Sequence, residues 1–226
     1  MSVTPLPRRF TLWLLVAAVL AFVPAVPLSA APAAVPAAGN EAPVILIFGD
    51  SLSTGYGFDR DAAWPSLLEE RLEEAALPHR VVNASRSGET TTGATRRFPD
   101  ALDQHRPEVA VIQLGGNDGL RGLPVTAMRD NLATLVERAQ EAGAAVLLVG
   151  IRLPPNYGPA YLEQFEAVYP EIASDYDTAL VPFLLDGVWD RPGMLQEDRI
   201  HPTAEAQPLM LEIVWEALAP LLEPAS

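Results

Sequence analysis

The sequence predicts a three-layer α/β/α domain built on about five mostly parallel strands. Short runs that are apolar throughout, as in strands buried on both faces, alternate with segments of helical periodicity. Polar, glycine-bearing stretches follow directly after those runs. In a parallel sheet that is the carboxyl edge, where ligands bind.

The elements follow in order. Val44–Phe48 is a continuous apolar run closed by Gly49. Trp64, Leu67, Leu68, Leu72 and Ala75 recur at helical spacing, with Pro65 placed acceptably in the first turn. Arg80–Asn83 reads as a short strand, and residues 92–105 as a weaker helix broken or bent by Pro99. Val109–Leu114 is the next apolar run. Met128, Leu132, Leu135, Val136 and Ala139 then mark one face of a helix from near Pro124 to Gly143. Ala144–Val149 is another buried-type strand, and 159–176 a helix interrupted at Pro170. Leu180–Leu184 reads as a last strand. Met210, Ile213, Val214, Ala217, Leu218 and Leu221 close the domain as an amphipathic helix.

Before this domain stand two segments of different character. Arg8 and Arg9 precede Phe10–Val23, which is apolar but for Thr11, and small residues follow at Ser29-Ala30-Ala31. That pattern reads as a cleavable export signal over residues 1–30. The apolar stretch is shorter than the roughly 20 residues a membrane span needs. Residues 31–42 read as an Ala/Pro-rich linker, and the domain itself as 43–223. The expected location is therefore periplasmic or secreted, without a stable membrane anchor once the signal is removed.

Composition narrows the chemistry. The net charge is −14 and all basic residues are arginine, so a general electrostatic footprint for nucleic acid is absent. With no cysteine there is no disulfide, thiolate metal site or cysteine nucleophile. A metal hydrolase would need more ligands than three scattered histidines offer, although carboxylates alone can hold Mg²⁺.

Four motifs carry candidate chemistry. The first strand runs into Gly49-Asp50-Ser51-Leu52-Ser53, which places a serine just past a strand end; Gly-Asp-Ser is also ordinary turn chemistry. Asn83 to Thr90 includes Gly88, whose backbone N–H a substrate could approach closely; a strand-to-helix turn with Thr90 or Thr91 as N-cap is the plainer reading. Gly115-Gly116-Asn117-Asp118 sets a side-chain amide beside two glycines, and is equally a plain turn. In Asp198-Arg199-Ile200-His201-Pro202 a carboxylate three residues upstream can orient the imidazole. His79 and His105 precede strands, at the opposite edge of the sheet, and read as surface residues. Together the motifs supply a nucleophile, a base, an orienting acid and separate oxyanion donors. G-x-S-x-G, a P-loop and a dinucleotide fingerprint are all missing from the chain.

In order, these blocks resemble the SGNH, or GDSL, hydrolase family, and within it the bacterial periplasmic multifunctional acyl-CoA thioesterase I/lysophospholipase/arylesterase group. Ile151-Arg152-Leu153-Pro154-Pro155-Asn156-Tyr157-Gly158 and Ala206-Gln207-Pro208 extend the likeness over residues 43–223. The resemblance implies a flavodoxin-like SGNH hydrolase fold and an esterase acting through an acyl-enzyme. It implies Ser51 as nucleophile, His201 as base and Asp198 as the orienting acid. The oxyanion hole would be the backbone N–H groups of Ser51 and Gly88 with the Asn117 amide. Residues 115–122 would form a mobile loop, and Leu153, Pro154 and Asn156 would bind the acyl chain. Implied substrates are lysophospholipids, aryl and medium-chain acyl esters, and acyl-CoA in vitro, with no cofactor, no metal and a monomeric enzyme. A carbohydrate or peptidoglycan O-acetylesterase is the alternative enzyme, and a non-catalytic acyl-binding protein the alternative class.

Overall fold

A computed structural model describes Met1 and residues 42–222. The signal and linker readings, but for Met1 and Ala42, fall outside the described residues. Five strands form one sheet: β1 (Val44–Gly49), β2 (Arg80–Asn83), β3 (Val109–Gln113), β4 (Ala145–Val149) and β5 (Ala179–Val181). Their order is β2-β1-β3-β4-β5 and every pairing is parallel. This is the flavodoxin-like doubly wound arrangement, and its switch point lies between β1 and β3. β1 and β3 are buried at every position, which accounts for apolar runs without alternation.

Helices cover the sheet. α1 (Trp64–Glu74) packs with α6 (Gln207–Leu222), while α2 (Thr91–His105), α4 (Val125–Glu141) and α5 (Pro159–Asp175) pack side by side. The short α3 (Gly116–Leu120) occupies the stretch expected to be a loop. Among the described residues no helix is long and apolar enough to cross a membrane.

Four expectations are corrected. α2 continues through Pro99 and α5 through Pro170. A proline inside a helix costs about 3 kcal/mol. Burial of Phe98, Ala101 and Leu102 in α2, and of Phe165, Val168, Tyr169 and Ile172 in α5, outweighs that cost. The last strand ends at Val181 rather than Leu184. Proline at 182 has no N–H for the ladder, and the Leu184 N–H turns back to the Gly150 carbonyl at 3.0 Å. His79, at the expected edge of the sheet, is no surface side chain: it is 4% exposed, with Nε2 3.4 Å from Glu108.

Candidate active site

The carboxyl ends of β1 and β3 meet at one small turn. Asp50 caps a 3₁₀ turn over Ser51–Ser53, its Oδ1 accepting the Leu52 N–H at 3.0 Å. The turn is fixed on several sides. Ser53 Oγ donates to Gln113 Oε1 at 2.7 Å, the Trp64 indole N–H to the Leu52 carbonyl at 3.1 Å, and the Asn83 amide to the Ser53 carbonyl at 2.6 Å. Glycine at 49 is demanded by close approach, not by its dihedrals. A Cβ there would sit 2.8 Å from Gln113 Oε1 and 3.0 Å from Ser53 Oγ.

His201 reaches Ser51 from the far end of the chain. Its Nε2 lies 2.9 Å from Ser51 Oγ, and its Nδ1 2.6 Å from Asp198 Oδ2. The other Asp198 oxygen accepts the backbone N–H groups of Ile200 and His201 at 2.9 and 3.0 Å, so one carboxylate folds its own loop and orients the ring. Partial burial pushes the Asp198 carboxyl up, but the hydrogen bonds from the His201 ring and from those two amides hold it below the ordinary carboxylate range. The loop is pinned by a β-bridge between Leu195 and Pro202 and by Gln196, whose amide donates to the carbonyls of Tyr56 and Pro202. The Tyr56 ring lies against the imidazole with centroids 4.3 Å apart.

Asn117 stands at the start of α3, with its amide 3.4 Å from Asp50 Oδ2. Its neighbour Asp118 points the other way and is buried. It accepts the Thr91 N–H at 2.9 Å and the Thr91 hydroxyl at 2.6 Å, clamping α3 to the start of α2. Gly115 bends the chain before Asn117 with φ +111°, and a Cβ there would collide with the Tyr169 hydroxyl.

These residues open into a cleft of about 1150 Å³. Asp50, Ser51, Asn117, Leu153, Pro154 and His201 line it. Gly88 and Asn156 do not. Gly88 is exposed, with φ +77°, beside Ser87, whose hydroxyl is 2.9 Å from that of Thr54; its carbonyl accepts from Arg121. Asn156 is exposed on a 3₁₀ turn whose Pro155 lines the cleft instead. The walls are mainly apolar, including Leu120, Ile151, Leu162, Phe183, Leu185 and Leu195. Sequence reasoning misses the wall from Phe183 to Leu195, because Phe183 and Leu184 read locally as strand. It also misses Tyr56 and Gln113, which carry no local signal beyond their neighbourhood to Ser51 and the third strand end.

Asp50 is the unusual group. Complete burial raises its carboxyl to about 6, against the opposing hydrogen bonds from Leu52, Gln113 and Asn117. The folded state thus prefers the neutral acid, a contribution fully present below 3.8 and lost as pH rises through about 6. In total it is worth about 3 kcal/mol. Wild type is expected to lose most of this between about pH 4 and pH 7, relative to Asp50→Asn, in urea unfolding. Parallel pH profiles for the two proteins would contradict the buried-acid reading.

A serine, an imidazole and a carboxylate in hydrogen-bonded series, beside side-chain and backbone donors, suit attack on a carbonyl and stabilisation of the resulting oxyanion. Fold and site together define a three-layer α/β/α hydrolase acting on ester bonds. The chain belongs to the GDSL-like Lipase/Acylhydrolase family, whose profile matches residues 47–208. It is 49% identical over 181 residues to Esterase TesA of Pseudomonas aeruginosa, covering 80% of this chain and 90% of that one. It is 41% identical over 181 residues to Thioesterase 1/protease 1/lysophospholipase L1 of Escherichia coli, covering 80% and 86%. The crystal structure of the psychrotrophic esterase EstA from Pseudoalteromonas sp., inhibited by monoethylphosphonate, has a TM-score of 0.76 at 38% identity. That match covers 79% of this chain and 98% of the other. The family resemblance and fold class expected from the sequence are therefore borne out.

Proposed function

We propose that this chain is an exported serine esterase that hydrolyses lysophospholipids, aryl esters and medium-chain acyl esters, and acyl-CoA in vitro, through an acyl-enzyme. His201 takes the Ser51 proton as Oγ attacks the ester or thioester carbonyl. Asp198 holds the ring so that Nδ1 keeps its hydrogen and the imidazolium is stabilised. The Ser51 and Gly88 N–H groups and the Asn117 amide receive the oxyanion, the last of these turning from Asp50 toward the substrate. His201 then protonates the leaving alcohol or thiol, and water releases the acyl group by the same steps in reverse roles.

The observation that supports this best is the hydrogen-bonded series Asp198–His201–Ser51 opening into an apolar-walled cleft. Residues 1–30 serve as the export signal and 31–42 as a linker, the enzyme works as a periplasmic or secreted monomer with no retained anchor, and no cofactor or metal takes part. Leu153 and Pro154 contact the acyl chain, and Asn156 the outer end of the same groove. Export separates the enzyme from cytosolic acyl-CoA, which favours extracytoplasmic lipid esters.

Hydrolysis of p-nitrophenyl esters from acetate to palmitate tests the substrate class. A maximum in kcat/KM at medium chain length is expected, because each buried methylene adds about 0.8 kcal/mol until the apolar wall is filled. Highest activity on the acetate, falling with every added carbon, would replace this reading by that of a deacetylase.

A further inference from the structure

An asparagine side chain ends in a donor, Nδ2, and an acceptor, Oδ1, of nearly equal size, and only the donor can stabilise an oxyanion. At Asn117 one side chain among the described residues selects between the two ends. Asp50 Oδ2 lies 3.4 Å from Asn117 Nδ2. Helix α3 stands so near that a Cβ on Gly116 would come 3.3 Å from the same oxygen. An ionised carboxylate accepts and cannot donate, so it keeps Nδ2, and not Oδ1, beside the residue that precedes Ser51.

The turn itself does not need the charge of Asp50. Its Oδ1 caps the turn through the Leu52 N–H, and asparagine caps as well as aspartate does. The side chain is 2% exposed and forms no ion pair among the described residues. Burial raises the carboxyl to about 6, so it is still ionised in mildly alkaline solution. A buried charge kept against its own desolvation, on the lining of the cleft, is the mark of a functional group.

We propose that Asp50 is a positioning residue for the oxyanion hole, its Oδ2 holding the Asn117 amide with Nδ2 toward the reacting carbonyl. This rests on the reading of Asn117 as an oxyanion donor. Nδ2 carries two hydrogens, so one can turn to the oxyanion while the other stays with Asp50. An amide at position 50 reverses the arrangement. With its oxygen on the Leu52 N–H, its NH₂ faces Asn117 and draws Oδ1 toward itself. The acceptor end of Asn117 then meets the oxyanion and repels it.

The test compares p-nitrophenyl butyrate hydrolysis, in mildly alkaline buffer, by wild type, Asp50→Asn, Asn117→Ala and the double variant. Asp50→Asn is expected to lower kcat by about 10² with KM changed less than about twofold, as for an interaction made only in the transition state. Its thermal midpoint is expected at or above that of wild type, since no buried charge remains. The double variant is expected to be no slower than Asn117→Ala alone, because Asp50 acts through that amide. Asp50→Ser keeps a capping oxygen without the carboxylate, and the same loss is expected of it; this covers a folding defect peculiar to the new amide. A kcat for Asp50→Asn within about threefold of wild type overturns the proposal. So does a double variant slower than Asn117→Ala by the whole Asp50→Asn factor, which gives Asp50 a role independent of Asn117. Asn117→Ala with wild-type activity defeats the oxyanion reading itself, and this proposal with it.

Discussion

Ser51→Ala is expected to lower kcat on p-nitrophenyl butyrate by about 10⁶, leaving a residue of catalysis from binding and oxyanion donors alone. Ser51 sits half-buried at the start of its turn, and the side-chain bond of its Oγ goes to His201. The turn itself is held by Asp50, Ser53, Trp64 and Asn83, none of which needs that hydroxyl. The variant therefore keeps its fold and its thermal midpoint while losing turnover and labelling by a fluorophosphonate probe. A rate within tenfold of wild type would remove Ser51 from the nucleophile's role. Retained labelling would point to another serine, with Ser53 disfavoured because it is fully buried against Gln113.

Asp198→Asn is expected to cost about 10⁴ in kcat at neutral pH. The amide can keep its carbonyl oxygen on the Ile200 and His201 N–H groups, so the loop survives. That choice turns its NH₂ toward His201 Nδ1. The ring nitrogen must then accept, its hydrogen moves to Nε2, and Nε2 can no longer accept the Ser51 proton. Wild type escapes this because the carboxyl lies below its ordinary range and stays ionised through mildly acidic conditions. Full activity of Asp198→Asn at neutral pH, with folding intact, would show that the tautomer is set by something else.

The legible part of the fold was its periodicity. Wholly apolar runs placed β1, β3 and β4 to within a residue, because burial on both faces of a parallel sheet leaves no polar alternation to misread. The errors fell where tertiary contacts overrule local rules. Two prolines lie inside unbroken helices, since the buried faces of those helices outweigh a local penalty. Phe183 and Leu184 look like strand, yet they turn away after Pro182 and build a wall of the cleft.

In the site, residue types and order were enough to single out Ser51, Asn117, Asp198 and His201, because a nucleophile, a base and an acid each need particular functional groups beside strand ends. His79 and His105 could be set aside by the same logic of edges, even though His79 proved buried. Local sequence contains no account of what approaches from elsewhere. The raised carboxyl of Asp50 comes from complete burial beneath Gln113 and Asn117, residues 63 and 67 positions away. Tyr56 against His201 likewise joins distant segments of the chain.

The sequence by itself determined the layer architecture, the family and the chemical identity of the candidate catalytic groups, because those depend on short-range pattern and residue type. Only the tertiary structure decided their distances, the protonation environment of Asp50 and the walls of the cleft. Those are properties of desolvation and contact between segments far apart in the chain, and both arise only when the sheet brings its carboxyl ends together.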